Sequence, residues 1–303
     1  MSYRFGILLL LIPFLTYGQN RAIPESILNN QVELYRYLAF DIGVSSGIMM
    51  NAALAGSKNA SRISATGVRI PYATGFNGNY RISYDASVKS LKGGIGVELA
   101  YYGKMKEPHL RLLYSPKFTA KDNYTLAPVI GYEMSLTPLS TETYQSGYTL
   151  GMVFHGFKTL AGFEVRNSLG SLKDNDLLLK AHVARSFIIS DYWKGSIMLH
   201  GLIGNRELQP YIEQGELIAV IENDTIHSVG FQTAALVGKL QYKDWIFGFG
   251  ANYDNYVFEQ GEIREFFFRY KKLRPIVQLG YKKAGYEFII STNTVLVSYT
   301  FKN

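Results

Sequence analysis

The 303-residue chain has no cysteine, only 9 prolines and 2 tryptophans, and just 18% charged residues. Without cysteine there is no disulfide framework, thiolate metal cluster, thiol nucleophile or lipid-bearing N-terminal Cys. Little charge and little proline beside 47% hydrophobic residues exclude a disordered chain. Beyond its N-terminus the chain also lacks any apolar run long enough to cross a membrane as a helix. The longest charge-free stretch, Ile42 to Ser57, is interrupted by Ser45, Ser46 and Asn51 and falls short of the roughly 20 apolar residues such a helix needs. What is abundant is Tyr (23), Phe (18) and Gly (29). The mean hydropathy of −0.01 suits a soluble protein. It equally suits a chain in which half of many strand positions face lipid and half face water.

The N-terminus has the grammar of a secretory signal. Arg4 supplies the positive charge, Phe5 to Leu15 an apolar run too short for a spanning helix, and Thr16-Tyr17-Gly18 a small-residue cleavage site. Residues 1–18 are therefore expected to be a Sec-type signal peptide, with the mature chain starting at Gln19. Their removal takes one Arg and no acid, so the formal charge of +7 falls to +6. For an exported chain that excess points to lipid phosphates or an acidic partner rather than to nucleic acid.

Residues 19–60 differ in texture from the rest. Ile27, Leu28, Val32, Leu34 and Leu38 loosely follow a helical face, and the segment reads as a short helix or plug leading into the first strand. From residue 61 the period becomes two. Tyr80, Ile82, Tyr84, Ala86 and Val88 alternate with Arg81, Ser83, Asp85, Ser87 and Lys89. Ile95, Val97, Leu99 and Tyr101 share the apolar face of the next run. The pattern returns at Tyr148, Leu150, Met152 and Phe154, at Trp245, Phe247 and Phe249, and at Val295, Val297, Tyr299 and Phe301. Turn signals divide the runs, among them Lys92-Gly93-Gly94, Lys243-Asp244 and Lys282-Lys283-Ala284-Gly285.

These runs are about 10 to 14 residues long, against the 5 to 6 usual in soluble proteins, and a tilted membrane strand needs about 9 to 11. A secreted β-sandwich also alternates. It would bury the aromatic face and leave Lys and Glu outside, whereas here the second face is often Gly, Ser, Thr, Ala and Asn, which suits a barrel interior. The expectation is an all-β transmembrane antiparallel β-barrel over residues 61–303, with about 12 to 14 strands and 14 preferred.

No motif for catalysis emerges. His109, His155, His182, His200 and His227 form no H-x-x-x-H or H-E-x-x-H pattern, no G-x-S-x-G occurs, and Gly248-x-Gly250 is two glycines on one strand face. No catalytic residue, cofactor or metal is expected. The strongest basic cluster, Arg269, Lys271, Lys272 and Arg274, reads as a contact for a partner or for lipid headgroups.

Residues 49–103 add a further signal. Asn51, Ala53, Ala55 and Gly56 in NAALAG, the Tyr84-Asp85 pair, and Gly93, Gly94 and Gly96 in GGIG stand in order. In this the chain resembles the PorP/SprF family of outer-membrane proteins associated with type IX secretion. Ala52 stands where that family usually has Pro, and residues 104–240 carry no matching motif. The resemblance implies a non-enzymatic outer-membrane protein that supports export or surface attachment of cargo bearing a C-terminal sorting domain, such as gliding adhesins, together with other secretion components. The motif positions are expected to shape the first strands. A porin or small-solute channel is the alternative, and a barrel lipid hydrolase a more distant one.

Overall fold

In hydrocarbon every backbone N–H and C=O must be paired within the protein, and a sheet achieves this only by closing on itself. The computed structural model describes residues 47–57, 60–68, 79–102, 107–120, 124–136, 146–167, 177–207, 224–260, 266–292 and 294–301, with three two-residue strands at 212–213, 216–217 and 220–221. The expected signal peptide and the helical pattern expected within residues 19–46 lie outside the described residues.

The chain forms β1 (Ser61–Val68), β2 (Asn79–Val88), β3 (Gly93–Tyr102), β4 (Glu107–Pro116), the short β5 (Phe118–Ala120), β6 (Tyr124–Ser135), β7 (Ser146–Gly156), β8 (Thr159–Asn167), β9 (Leu177–Ile188) and β10 (Trp193–Glu207). After the small β11 (Ile212–Glu213), β12 (Glu216–Leu217) and β13 (Val220–Ile221) come the long β14 (Asp224–Tyr242), β15 (Trp245–Gln260) and β16 (Phe266–Lys283), then β17 (Tyr286–Ser291) and β18 (Thr294–Phe301). Apart from β5 and β11 to β13, each strand pairs antiparallel with its chain neighbours, β10 pairs with β14, and β1 pairs with β18. The result is a closed barrel of fourteen strands. Strands about 4.8 Å apart and tilted about 40° close a cylinder about 28 Å across at the backbone.

The two faces separate as the alternation requires. Ile63, Ile82, Leu112, Leu150, Ile197 and Val277 are 44–56% exposed on the outside, and every other barrel strand contributes an equivalent residue. An apolar belt around the whole circumference far exceeds what a soluble monomer exposes, and it is the surface a bilayer covers. Aromatic residues flank the belt. At the short-turn rim Trp193 packs on Tyr242 with ring centroids 4.8 Å apart, Trp245 on Tyr281 at 5.2 Å and Tyr286 on Tyr299 at 4.3 Å. Each pair consists of direct cross-strand partners. Toward the other rim Tyr132 and Tyr148 pair in the same way at 5.6 Å. Tyr124 and Tyr132, eight residues apart on β6, mark about 27 Å of strand, or about 20 Å of height at a 40° tilt.

The connections divide into two classes. At one rim they are tight: Lys89–Lys92, Lys117 and its neighbours, Phe157-Lys158, Ile189–Tyr192, Lys243-Asp244 and Ala284-Gly285. At the other, four connections are longer, over residues 69–78, 137–145, 168–176 and 208–223, and three are short, over 103–106, 261–265 and 292–293. The chain enters β1 and leaves β18 at the tight rim. No helix among the described residues is long and apolar enough to cross a membrane.

Candidate functional site

The inward face is more charged than a reading dominated by small residues expects, and the register explains how this is tolerated. Arg62 stands opposite Asp85, Glu98 opposite Arg111, Arg111 opposite Glu133, and Glu164 opposite Lys180. Each cation meets an anion on the adjacent strand, which is the condition for burying charge. Arg62 gives two hydrogen bonds to Asp85, at 2.9 and 3.1 Å. Arg111 bridges Glu98 at 3.0 Å and Glu164 at 3.1 Å, and Arg166 pairs with Glu133. On the opposite wall Arg274 lies 3.3 Å from Asp254, which also accepts from Asn252 at 2.8 Å.

Into this bore folds the segment just before β1. Gly47–Met49 and Ala52–Leu54 each form a single 3-10 turn, and Ile48, Met49, Ala52, Ala53 and Ala55 are fully or almost fully buried. Asn51 sits between the turns in extended conformation and caps the second, accepting from Ala53 N at 2.9 Å. Its amide also donates to the Phe163 carbonyl at 3.4 Å. Ile48 and the alanines pack on Leu113, Val129 and Val153 of β4, β6 and β7, while Met49 packs on Ile246, Ile289 and Leu296 of β15, β17 and β18. The segment thus spans the bore from wall to wall near the tight rim.

Polar latches fix it. Glu164 Oε2 accepts the Ala52 N–H at 2.8 Å, and Asp85 Oδ1 accepts the Gly56 N–H at 2.9 Å. Ser115 Oγ lies 2.9 Å from the Ala53 carbonyl, and the Arg111 guanidinium 3.5 Å from that of Ile48. Lys117 donates to the Gly56 carbonyl. It stands in the turn beyond β4, where burial pushes its ammonium below the usual lysine range against the opposing pull of Asp85. Gly56 turns back at φ +58°, and a Cβ there would come 2.7 Å from the Ala86 carbonyl. Gly94 permits the closest approach of plug to wall, since a Cβ there would collide with the Ala55 carbonyl.

Most residues singled out in the sequence therefore meet at one joint. Asn51, Ala53 and Gly56 belong to the plug, Asp85 holds it, Gly94 makes room for it, and Gly96 lies against Ile48. Gly93 instead faces the Ser115 backbone of the next strand. Tyr84 points outward, 41% exposed, with its hydroxyl 3.4 Å from Ser61 Oγ. Of the basic stretch, the Arg274 side chain turns into the bore. The side chains of Arg269, Lys271 and Lys272 lie outside the described residues. Glu164, Arg111, Glu98 and Ser115 were not singled out. Their only sequence signal is a charged or hydroxyl residue on the polar face of a two-period run.

His182 and His200 are cross-strand partners with rings 6.3 Å apart, both buried, and neither has a hydrogen-bond partner among the described residues. No group of three or more potential metal ligands occurs among the described residues.

No known family model matches the chain, and none of the curated proteins is detectably similar to it. Among solved structures it is similar to the Acinetobacter baumannii outer membrane protein Omp33, with a TM-score of 0.43 and 11% identity, over 82% of this chain and 100% of the other.

Proposed function

We propose that this chain is a non-enzymatic outer-membrane barrel that supports export or surface attachment of secreted proteins carrying a C-terminal sorting domain, as its resemblance to the PorP/SprF family implies. The carrying observation is the plug. A bore crossed near one rim by a segment held with at least four side-chain latches favours this reading over a standing solute pore. A barrel of this kind works through its surfaces, offering loops and rims to cargo or to neighbouring secretion components. The resemblance contributes a second support, because Asn51, Gly56, Asp85 and Gly94 form the plug joint rather than being scattered through the wall.

Deletion of the gene should leave the outer membrane intact while removing one or a few proteins from the cell surface. An unchanged surface proteome refutes the reading. The channel alternative rests on the breadth of the cylinder behind the plug. It is favoured if purified protein conducts ions steadily in planar bilayers while the deletion strain secretes normally. Changed phospholipid or lipid A turnover in the deletion strain is the result a hydrolase would give.

A further inference from the structure

Outer-membrane barrels place short turns toward the periplasm and long loops outside, which orients the tight rim inward. Three of the six tight connections at that rim carry exposed lysine, Lys89 and Lys92, Lys158, and Lys243, and exposed Lys194 and Lys283 stand at the strand ends beside two more. The described acids there are Asp191, Asp244 and Glu287, and Glu287 is engaged by Lys282 at 3.5 Å. The lysines extend from the β2–β3 turn round to the β16–β17 turn, forming a collar rather than a patch.

The backbone adds an independent observation. Lys92, Lys158 and Lys243 adopt φ of +47°, +62° and +50°. Tight hairpin turns ordinarily give such left-handed positions to Gly, Asn or Asp, because a longer side chain is disfavoured there. Five described non-glycine residues on this rim, Phe157 and Ala284 among them, adopt such a φ, and in three of the turns the choice puts an ammonium group at the tip. Lys243 also lies 5.4 Å from the ring centres of both Tyr192 and Tyr242, beside Trp193. Aromatic rings with a lysine stem across them are the arrangement found where hydrocarbon meets headgroups.

We infer that this collar binds the phosphates of anionic glycerophospholipids in the periplasmic leaflet. A leaflet surrounds the barrel as the collar does, whereas a protein partner would select one sector of the rim.

The test compares full-length protein with the triple variant K92N/K158N/K243N. Asn fits the left-handed turn position, so the variant is expected to show heat-dependent gel mobility at or above the wild-type temperature. After delipidation, both are offered phosphatidylglycerol and phosphatidylcholine in equal amounts, and the retained lipid is counted by native mass spectrometry. Wild type should prefer phosphatidylglycerol, and the variant should lose about tenfold or more of that preference, as expected from three lysines at an anionic surface. Raising the salt should release the lipid from wild type. Equal retention by a folded variant overturns the inference. So does retention of lipid A in preference to phosphatidylglycerol, or capture of a soluble polyglutamate peptide in preference to anionic vesicles.

Discussion

If Glu164 latches the plug, two substitutions at that position should separate the latch from the charge around it. In Glu164→Gln the side-chain oxygen can still accept the Ala52 N–H, now bonded at 2.8 Å, but the bond is no longer charge-assisted. In Glu164→Ala the acceptor is gone and a buried N–H is left facing the wall. A hydrogen bond to a charged group contributes about 1.5–3 kcal/mol and a neutral one about 1, so Gln weakens the latch by about 1 kcal/mol. Ala weakens it by about 3 kcal/mol, adding the cost of the unpaired donor. The ratio of open to closed barrels should rise about fivefold for Gln and about a hundredfold for Ala. Both variants equally remove the negative charge between Arg111 and Lys180, so wall electrostatics alone would make them alike. The assay is single-channel recording in planar bilayers. Deletion of residues 47–57 defines the fully open level, and heat-dependent gel mobility confirms an intact barrel. If the deletion conducts while Glu164→Ala spends no more time open than wild type, or if Ala and Gln are indistinguishable, Glu164 is not the latch.

Other expectations follow from the same geometry. Gly94→Ala puts a methyl group into the Ala55 carbonyl without touching any charge, so it should raise the open fraction in the same recordings while leaving gel mobility unchanged. Asp85→Asn leaves Arg62 buried without its anion and should cost about 3 kcal/mol in urea unfolding from vesicles. Arg62→Met combined with Asp85→Asn should recover part of that loss, and a double variant no better than the single would refute the pairing. Leu150→Arg on the lipid face should cost about 2–4 kcal/mol and lower folding yield into vesicles.

The outward half of the barrel was legible because it is local. Ile82 and Tyr84, Leu150 and Phe154, and Val295 and Val297 show the lipid face within single runs, and period two alone assigns them. Tight turns were legible for the same reason at Lys243-Asp244 and Ala284-Gly285. The plug seat was not, because its parts are remote: Ala52 and its acceptor Glu164 are 112 positions apart, and Ser115 lies 62 from Ala53. Only the register of the strands from β1 to β8 brings them together. The inward charges were visible singly, at Arg81, Asp85 and Glu98, but their compensation is a cross-strand property and needs the pairing to be known. Arg274 shows the limit from the other side. In sequence it belongs to a basic cluster suited to phosphate, whereas strand parity aims it at Asp254 inside.

The position of the plug in the chain also constrains the order of assembly. It immediately precedes β1, and β1 is the strand whose pairing with β18 makes the final seam, from Ser61 against Phe301 to Val68 against Thr294. Leu296, on the seam's closing strand, packs against Met49, and Asp85, bound by Arg62 of the seam strand β1, accepts the Gly56 N–H at the plug's exit. A chain that zipped its seam first would have to thread a folded segment into a finished cylinder. Housing the segment while the sheet is still an open, curled ribbon requires no threading. Met49 then packs on the last strand while Gly56 is held beside the first by Asp85, so the plug acts as a mandrel for ring closure.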